Sequence, residues 1–156
     1  MALVEFSASE TMNCPPERAF DYFADHRHVA QVLEGVSRWE PMGGKGAKGA
    51  KVGKTRGVGA RYAVEMVALG LPLKSVLRLN TWQRPREIGW ISETGLIKQT
   101  GGFTFTEVDQ GVRVTLRIAY EPPGAVVGAA IAARLDGVVR RRLQRALGRI
   151  RLTLEA

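Results

Sequence analysis

The sequence predicts a single α+β domain in which a seven-stranded antiparallel sheet packs against one long C-terminal helix. Seven segments alternate apolar and polar residues with the period of two that marks a strand. Short turns join most of the later segments, which favours antiparallel pairing of strands that follow one another in the chain. From Pro122 to about Leu154 the apolar residues instead recur with helical period. A length of 156 residues fits one domain, so residues 1–156 are expected to form it alone.

The first predicted strand is followed by two short helices. The apolar residues of Val4–Met12 occupy every second position. Glu10 is the one charged residue among those positions. Pro15-Pro16-Glu17 predicts the start of a helix, because the N–H groups of a first turn have no intrahelical partner. Asp25 is expected to cap the second helix and Gly35 to end it.

Six further strands are predicted in meander order. They cover residues 36–42, 60–69, 71–82, 87–94, 98–108 and 112–120. Residues 43–59, between the first two of these strands, hold seven glycines and cannot bury enough apolar surface to offset their ordering entropy. We therefore predict a mobile loop there.

Charge and cysteine content exclude several classes of protein. The net charge of +8 is local, because +5 comes from the predicted loop and a second basic cluster lies in the terminal helix. The loop cations are Lys45, Lys48, Lys51, Lys54 and Arg56, and the helix arginines are Arg140, Arg141, Arg142, Arg145, Arg149 and Arg151.

A single cysteine, Cys14, excludes an internal disulfide framework. The longest uncharged apolar run is shorter than the roughly 20 residues that span a bilayer, and the opening residues do not resemble a signal peptide, so we expect a cytoplasmic protein.

The order of elements, together with three motifs, resembles the START and pollen-allergen helix-grip superfamily, also called SRPBCC. The motifs are residues 12–25 (MNCPPERAFDYFAD), Trp39-Glu40-Pro41 and the arginine-rich residues 134–152. Within that superfamily the chain is most similar to the polyketide cyclase/dehydrase and lipid-transport family. The resemblance implies a curved sheet that grips the long helix, with an elongated apolar cavity between them. It identifies the fold and not the chemistry, because the family contains enzymes, carriers and binders.

Strand parity predicts which side chains face this cavity. Charged residues mark the outer face of each strand, so the residues between them face the helix. The predicted ligand-binding residues are Tyr62, Met66, Ser75, Leu77, Thr81, Trp90, Ser92, Phe103, Leu116 and Tyr120 on the sheet, and Ile131 and Leu135 on the helix. Hydroxyl groups on an apolar wall are typical of a ligand pocket, and the small residues at the start of the helix leave room beside it. The alternative is a packed core whose hydroxyl groups bond to the backbone, and a bulge would invert any assignment beyond it.

Candidate catalytic and metal-binding groups are few. The inward parity of the six later strands holds no His, Asp, Lys or Cys, and Glu10 is the inward carboxylate of the first strand. Glu10 is a general base with a raised pKa, or it lies near the cavity mouth, or it pairs with an arginine. His26 and His28 lack the further His or Cys that would complete a metal site, so we expect a solvated corner there, and neither metal nor cofactor. Cys14 precedes a helix N-terminus, which would lower its pKa, but no catalytic His is assignable to it, so a packed thiol is expected.

Three functions remain open. The first is binding of a small hydrophobic or amphipathic molecule, such as a polyketide, a lipid or an isoprenoid. The second is a polyketide cyclase or aromatase that acts in the same cavity. The third is docking on an anionic membrane or polyanion, for which Lys45, Lys48, Lys51 and Lys54 and the helix arginines supply the charge. Specific nucleic-acid binding is disfavoured because no aromatic residue lies among these lysines. The sequence leaves the ligand and the oligomeric state open.

Overall fold

The structure is a computed structural model of the chain. It describes residues 4–32, 36–42, 56–68, 71–95, 98–121 and 125–156, and it describes only the backbone at residues 4, 31–32, 66–68, 71–73 and 125–139. The elements in chain order are β1 (Val4–Met12), α1 (Pro16–Phe23), α2 (His26–Val32), β2 (Val36–Pro41), β3 (Arg61–Ala68), β4 (Leu71–Gln83), β5 (Glu87–Gly95), β6 (Gln99–Val108), β7 (Gly111–Tyr120) and α3 (Ala125–Glu155). This order confirms the predicted α+β fold.

The strands form one antiparallel sheet in the order β1-β7-β6-β5-β4-β3-β2. The six later strands pair as a meander, and β1 joins the sheet beside β7 with a register that runs from Val4 opposite Tyr120 to Met12 opposite Val112. All three helices lie on one side of the sheet: α1 contacts β6 and β7, α2 contacts β2 and α3, and α3 contacts β1. The sheet therefore curls around the helices, which confirms the predicted helix-grip arrangement.

The two short helices form where the sequence places their start signals. The carbonyl of Pro15 accepts hydrogen bonds from the backbone N–H groups of Arg18 and Ala19 at 3.1 and 3.3 Å, so α1 begins at Pro16, the second of the paired prolines. Asp25 Oδ1 accepts from the backbone N–H of Arg27 at 3.0 Å, at the first turn of α2. Asp25 thus acts as the expected cap.

The concave face of the sheet carries the core. The inward residues of β1, β6 and β7 are buried, and so is one face of the second half of α3. These residues are Phe6, Ala8, Met12, Phe103, Phe105, Val112, Val114, Leu116, Leu143, Ala146, Leu147, Ile150 and Leu154. Their parity and helical spacing agree with the sequence analysis, so the apolar pattern sets which face of each element is buried.

The predicted loop is described only at its end. Residues 43–55 lie outside the described residues, so the prediction of mobility there stays a prediction. Gly57 and Gly59 have φ values of 86° and 96° in a turn before β3. The N–H of Gly59 donates to the carbonyl of Leu79 at 2.9 Å, and the N–H of Leu79 donates to the carbonyl of Ala60 at 2.8 Å. Gly59 and Ala60 are therefore bonded to β4, which corrects the predicted loop boundary at 59.

Within the described residues, no helix is both long enough and apolar enough to cross a bilayer.

Candidate functional site

A small cavity lies between the α1–α2 corner and the concave face of β2 to β6. Its lining is almost entirely apolar or aromatic: Phe23, Ala24, His26, Val29, Trp39, Tyr62, Leu79, Trp82, Ile88, Trp90 and Phe103. The cavity volume is about 20 Å³, which is room for about one water molecule. All three tryptophans of the chain belong to this lining.

Trp90 lies at the centre of the aromatic wall. Its ring is 2% exposed and meets Trp39 edge to face, with ring centroids 5.5 Å apart. Phe103 lies at 5.7 Å on its other side, and Phe23 of α1 stacks on Phe103 at 4.5 Å. Each such aromatic pair stabilises the fold by about 0.5–1.5 kcal/mol beyond the burial of its surface. The rings of the wall therefore stabilise one another.

Gly101 makes the position of Trp90 possible. The two residues face each other across β5 and β6. A Cβ atom on Gly101 would lie 2.6 Å from Cζ2 of the indole, which is too close for any side chain. The indole of Trp90 therefore occupies the space that a side chain at Gly101 would take.

Two polar atoms in the cavity lining have no hydrogen-bond partner among the described residues. They are Nε1 of Trp90 and Nδ1 of His26, and both are buried. A buried polar group without a partner destabilises a fold by roughly 1–3 kcal/mol. Groups of this kind call for a partner that enters the cavity, such as a water molecule or an oxygen atom of a ligand.

Tyr62 supplies a third polar group to the lining. The residue is 3% exposed, and burial raises the pKa of its hydroxyl to about 12. Its ring centroid lies 6.0 Å from that of His26 and 5.9 Å from that of Trp39. Burial therefore keeps this hydroxyl protonated to a higher pH than the hydroxyl of an ordinary tyrosine.

The two histidines of α2 have separate environments. His28 stacks on Tyr22 with ring centroids 3.8 Å apart, and its Nδ1 lies 2.6 Å from the carbonyl oxygen of Tyr22. His26 instead lines the cavity, one residue after Asp25, whose pKa is lowered by its hydrogen bond with Arg27. The expectation of a solvated corner is therefore wrong for His26. Among the described residues, no three His, Cys, Asp or Glu side chains are grouped as metal ligands would be.

The structure brings some of the predicted ligand-binding residues together and separates others. Tyr62, Trp90 and Phe103 line the cavity. Leu77 and Leu116 are fully buried near them but lie outside its lining. Tyr120 is half-buried and stacks on Phe6 at 5.6 Å. The remaining predicted hydroxyl residues, Ser75, Thr81 and Ser92, are half-buried and lie outside the lining.

Three predicted residues fall outside what the structure describes. The side chains of Met66, Ile131 and Leu135 are not among those described, so their predicted role stays a prediction.

Two β-bulges explain why parity failed for some hydroxyl residues. The register between β4 and β5 shifts between Leu79 and Thr81, so Trp82 rather than Thr81 lies in the cavity lining. A second shift, between Val76 and Leu77, skips a residue of β5, and Thr94 beyond it is exposed. The Thr81 assignment to the cavity wall is corrected accordingly.

Ser92 has a backbone role. Its Oγ accepts a hydrogen bond from the backbone N–H of Gln99 at 3.0 Å. That bond matches the alternative in which hydroxyl groups of this face serve the backbone.

Glu10 forms an ion pair with the terminal helix. Its carboxylate lies 2.9 Å from Nη1 of Arg151 and accepts a hydrogen bond from Nε2 of Gln144 at 2.8 Å. The same Gln144 Nε2 donates to the carbonyl of Ser9 at 2.7 Å. Of the roles expected for Glu10, the structure shows the arginine pair, and these contacts hold α3 on β1.

Cys14 is a packed thiol. It is 7% exposed, and burial raises its pKa, which outweighs the opposing effect of Arg18. The expected lowering by the helix N-terminus is therefore wrong, because desolvation of the thiolate is the larger effect.

Comparison with known proteins places this geometry in a family. A family model described as polyketide cyclase / dehydrase and lipid transport matches residues 4–155. No curated protein matches the chain by sequence.

Solved structures share the fold at low sequence identity. TTHA0849 from Thermus thermophilus is 19% identical with a TM-score of 0.72, and the alignment covers 96% of each chain. The ZhuI aromatase/cyclase from Streptomyces sp. R1128 is 15% identical with a TM-score of 0.68, over 99% of this chain and 94% of that one. The di-domain aromatase/cyclase BexL from the BE-7585A biosynthetic pathway is 17% identical with a TM-score of 0.67, over 99% of this chain and 50% of that one.

Proposed function

Because the chain belongs to the polyketide cyclase/dehydrase and lipid transport family, we propose that it binds a small hydrophobic or amphipathic molecule at the aromatic cavity. A polyketide, a lipid or an isoprenoid is the class of ligand that fits. The ligand would lie against the wall formed by Trp39, Trp90 and Phe103, where burial of apolar surface drives binding.

The observation that carries this proposal is the buried indole N–H of Trp90, which lacks an acceptor among the described residues. A ligand oxygen that accepts from this N–H would remove the penalty of an unpaired donor. The buried Nδ1 of His26 and the hydroxyl of Tyr62 add two further polar contacts on the same wall. A mostly apolar lining with a few polar groups is the usual composition of a small-molecule site.

Binding requires a rearrangement of the lining. A cavity of about 20 Å³ is too small for any molecule of this class, since ligand pockets measure about 300–1,000 Å³. The helix side of the lining, with Phe23, His26 and Val29, must therefore move away from the sheet. We expect the ligand to select an open form of the α1–α2 corner.

A second candidate function is a cyclase-type reaction in the same cavity. The observation in its favour is His26, an imidazole with a buried Nδ1 whose ring centroid lies 6.0 Å from that of Tyr62. The imidazole would remove a proton from a carbon between two carbonyl groups, and the carbanion would attack a third carbonyl carbon to form a ring bond. The hydroxyl would donate a proton to the oxygen of that carbonyl, and the imidazole would return its own proton to Tyr62, so the proton count balances.

Intrinsic fluorescence tests the binding proposal directly. Because all three tryptophans line the cavity, their emission reports on this site alone. Titration with acetylnaphthalene should quench the emission of the wild type. Ala24→Leu fills the lining and should abolish the quenching, whereas Ala63→Leu makes the same change on the opposite face of β3 and should leave it intact.

The quenching experiment tests where the probe binds, and a second experiment separates a carrier from an enzyme. Equal quenching of both variants would show that the probe binds elsewhere and would overturn the proposal. Native mass spectrometry of freshly purified protein then separates the two functions: a hydrophobic molecule released unchanged supports a carrier, and chemical conversion of an added poly-β-ketone that is lost in His26→Ala supports a cyclase.

A further inference from the structure

Arg56 precedes a turn that is bonded to the wall of the aromatic cavity. The N–H of Ala60 donates to the carbonyl of Gly57 at 3.1 Å, which closes the turn. The N–H of Gly59 donates to the carbonyl of Leu79 at 2.9 Å, and Leu79 belongs to the cavity lining. The backbone three residues after Arg56 is therefore fixed on the cavity wall.

Two electrostatic interactions place the guanidinium group of Arg56 more closely. Its positive charge opposes the rise in the pKa of Tyr62 that burial causes, and Tyr62 lines the cavity. It also adds to the lowering of the pKa of Asp21 in α1, which is caused chiefly by the hydrogen bond from Arg84. Such interactions fade over about 10 Å at physiological ionic strength. The group therefore lies near both β3 and α1, on the side where we expect the cavity to open.

The two carboxylates of the α1–α2 corner are bonded to other arginines. Asp21 accepts two hydrogen bonds from the guanidinium of Arg84, at 2.8 and 2.9 Å. Asp25 accepts two from the guanidinium of Arg27, at 3.0 and 2.7 Å. Arg56 is exposed, and it forms no hydrogen bond or ion pair with another residue that the structure describes. Its N–H groups are therefore available to an anion at the opening of the cavity.

We propose that the ligand of this cavity is a hydrophobic molecule that ends in a carboxylate, and that Arg56 binds this carboxylate at the opening. The proposal rests on the binding function given above and names the class of its ligand. A guanidinium and a carboxylate form two parallel hydrogen bonds, the geometry that Arg84 and Asp21 adopt in the same corner. The apolar part of the ligand lies against Trp39 and Trp90.

A single negative charge fits the opening better than two. Of the described cations beside the corner, Arg27 and Arg84 are already paired, and Glu17 acts on Arg84 as well. A phosphate monoester carries about 1.5–2 negative charges at pH 7 and would need a second cation. A carboxylate is matched by Arg56 alone.

The other cations of the predicted basic loop lie outside the described residues. They are Lys45, Lys48, Lys51 and Lys54, so docking on an anionic membrane through them stays a prediction. Arg56 is the cation of that loop whose side chain the structure describes.

Calorimetric titration with two probes of similar size tests the carboxylate site. Naphthylacetate carries a carboxylate, and acetylnaphthalene carries a neutral carbonyl group on the same ring system. Arg56→Gln should weaken binding of naphthylacetate about tenfold, because a charge-assisted pair is lost, and should leave acetylnaphthalene binding unchanged. Arg56→Lys should retain part of the affinity for naphthylacetate, since the charge stays and the two parallel hydrogen bonds are lost.

Arg113→Gln is the matched control. Arg113 is exposed between the buried residues Val112 and Val114, so the change removes the same charge from the outer face of β7 and should alter neither affinity. Thermal unfolding of each variant shows that it is folded. Equal loss of naphthylacetate binding in Arg56→Gln and Arg113→Gln would mean that only net charge matters and would overturn the proposal.

Two further results would also contradict the carboxylate site. If Arg56→Gln weakened both probes equally, Arg56 would support the cavity wall and would not bind the carboxylate. If naphthyl phosphate bound the wild type more tightly than naphthylacetate, the choice of a singly charged ligand would be wrong.

Acetylnaphthalene separates this proposal from the binding function on which it rests. If the wild type binds acetylnaphthalene and Arg56→Gln does not distinguish the two probes, the cavity remains a binding site and the carboxylate site is refuted. If the wild type binds neither probe, the binding function is refuted and the carboxylate site with it.

Discussion

The indole of Trp90 lies directly over Gly101, its partner across β5 and β6. The distance from Cζ2 of the indole to a Cβ atom built on Gly101 would be 2.6 Å. The indole of Trp90 can lie here only because position 101 is a glycine and has no side chain. This pair fixes the ring that carries the proposed function.

Gly101→Ala should therefore displace Trp90. Overpacking of a filled site destabilises a protein by about 1–3 kcal/mol, and we expect a loss of that size together with a changed tryptophan emission spectrum. Urea unfolding followed by fluorescence and by circular dichroism measures both effects. Gly148→Ala is the control, because nothing lies within 4 Å of its added Cβ and the helix should gain about 1 kcal/mol. Equal effects of the two substitutions would contradict the role given to Gly101.

Trp90→Phe should weaken binding of ligands that carry a carbonyl group. The change keeps an aromatic ring but removes the buried N–H, so one hydrogen bond worth about 1 kcal/mol is lost, which is about fivefold in affinity. Calorimetric titration with acetylnaphthalene and with ethylnaphthalene measures the difference between the two probes. Trp82→Phe, at the edge of the same lining, should reduce the affinity for both probes equally. If Trp90→Phe also reduced the affinity for both probes equally, the N–H of Trp90 would make no bond to the ligand.

Alternation of apolar residues predicted much of this site, because period two directly reports the face of a strand. It placed Tyr62, Trp90 and Phe103 on the concave face, and all three line the cavity. It failed at Thr81, since the bulge that brings Trp82 inward leaves no mark in the alternation itself.

The helical corner could not be predicted in the same way. His26 follows a capping aspartate on a short helix, and such a position is exposed unless the chain folds back over the sheet. Its inward direction depends on contacts of α2 with β2 and with α3, and α3 is distant in sequence. The available signal was a pair of histidines that follows the aromatic residues 20–23 closely, but the alternation of a strand does not apply to a helix of seven residues.

The Glu10–Arg151 pair should stabilise the attachment of α3 to β1 without serving the cavity. Both side chains are partly exposed, 18% and 44%, so the coupling between them should be about 1 kcal/mol or less. A double-mutant cycle of Glu10→Gln and Arg151→Gln, measured by urea unfolding, gives this coupling. Affinity for acetylnaphthalene should be unchanged in each variant. A large drop in affinity in Glu10→Gln would return Glu10 to the list of site residues.

Tyr62 should make the protein less stable at high pH. Burial raises its folded-state pKa to about 12, whereas a tyrosine of the unfolded chain ionises at about 10. Its contribution is therefore complete below about pH 10 and is lost as the pH rises through 12, because only the unfolded state releases the proton in that window. The free energy of unfolding should fall by up to about 1.4 kcal/mol per pH unit there. Tyr62→Phe has no proton to release and should flatten this slope in urea titrations at successive pH values. Tyr22, whose pKa is also raised by burial, provides the control, since Tyr22→Phe should leave the larger part of the slope in place.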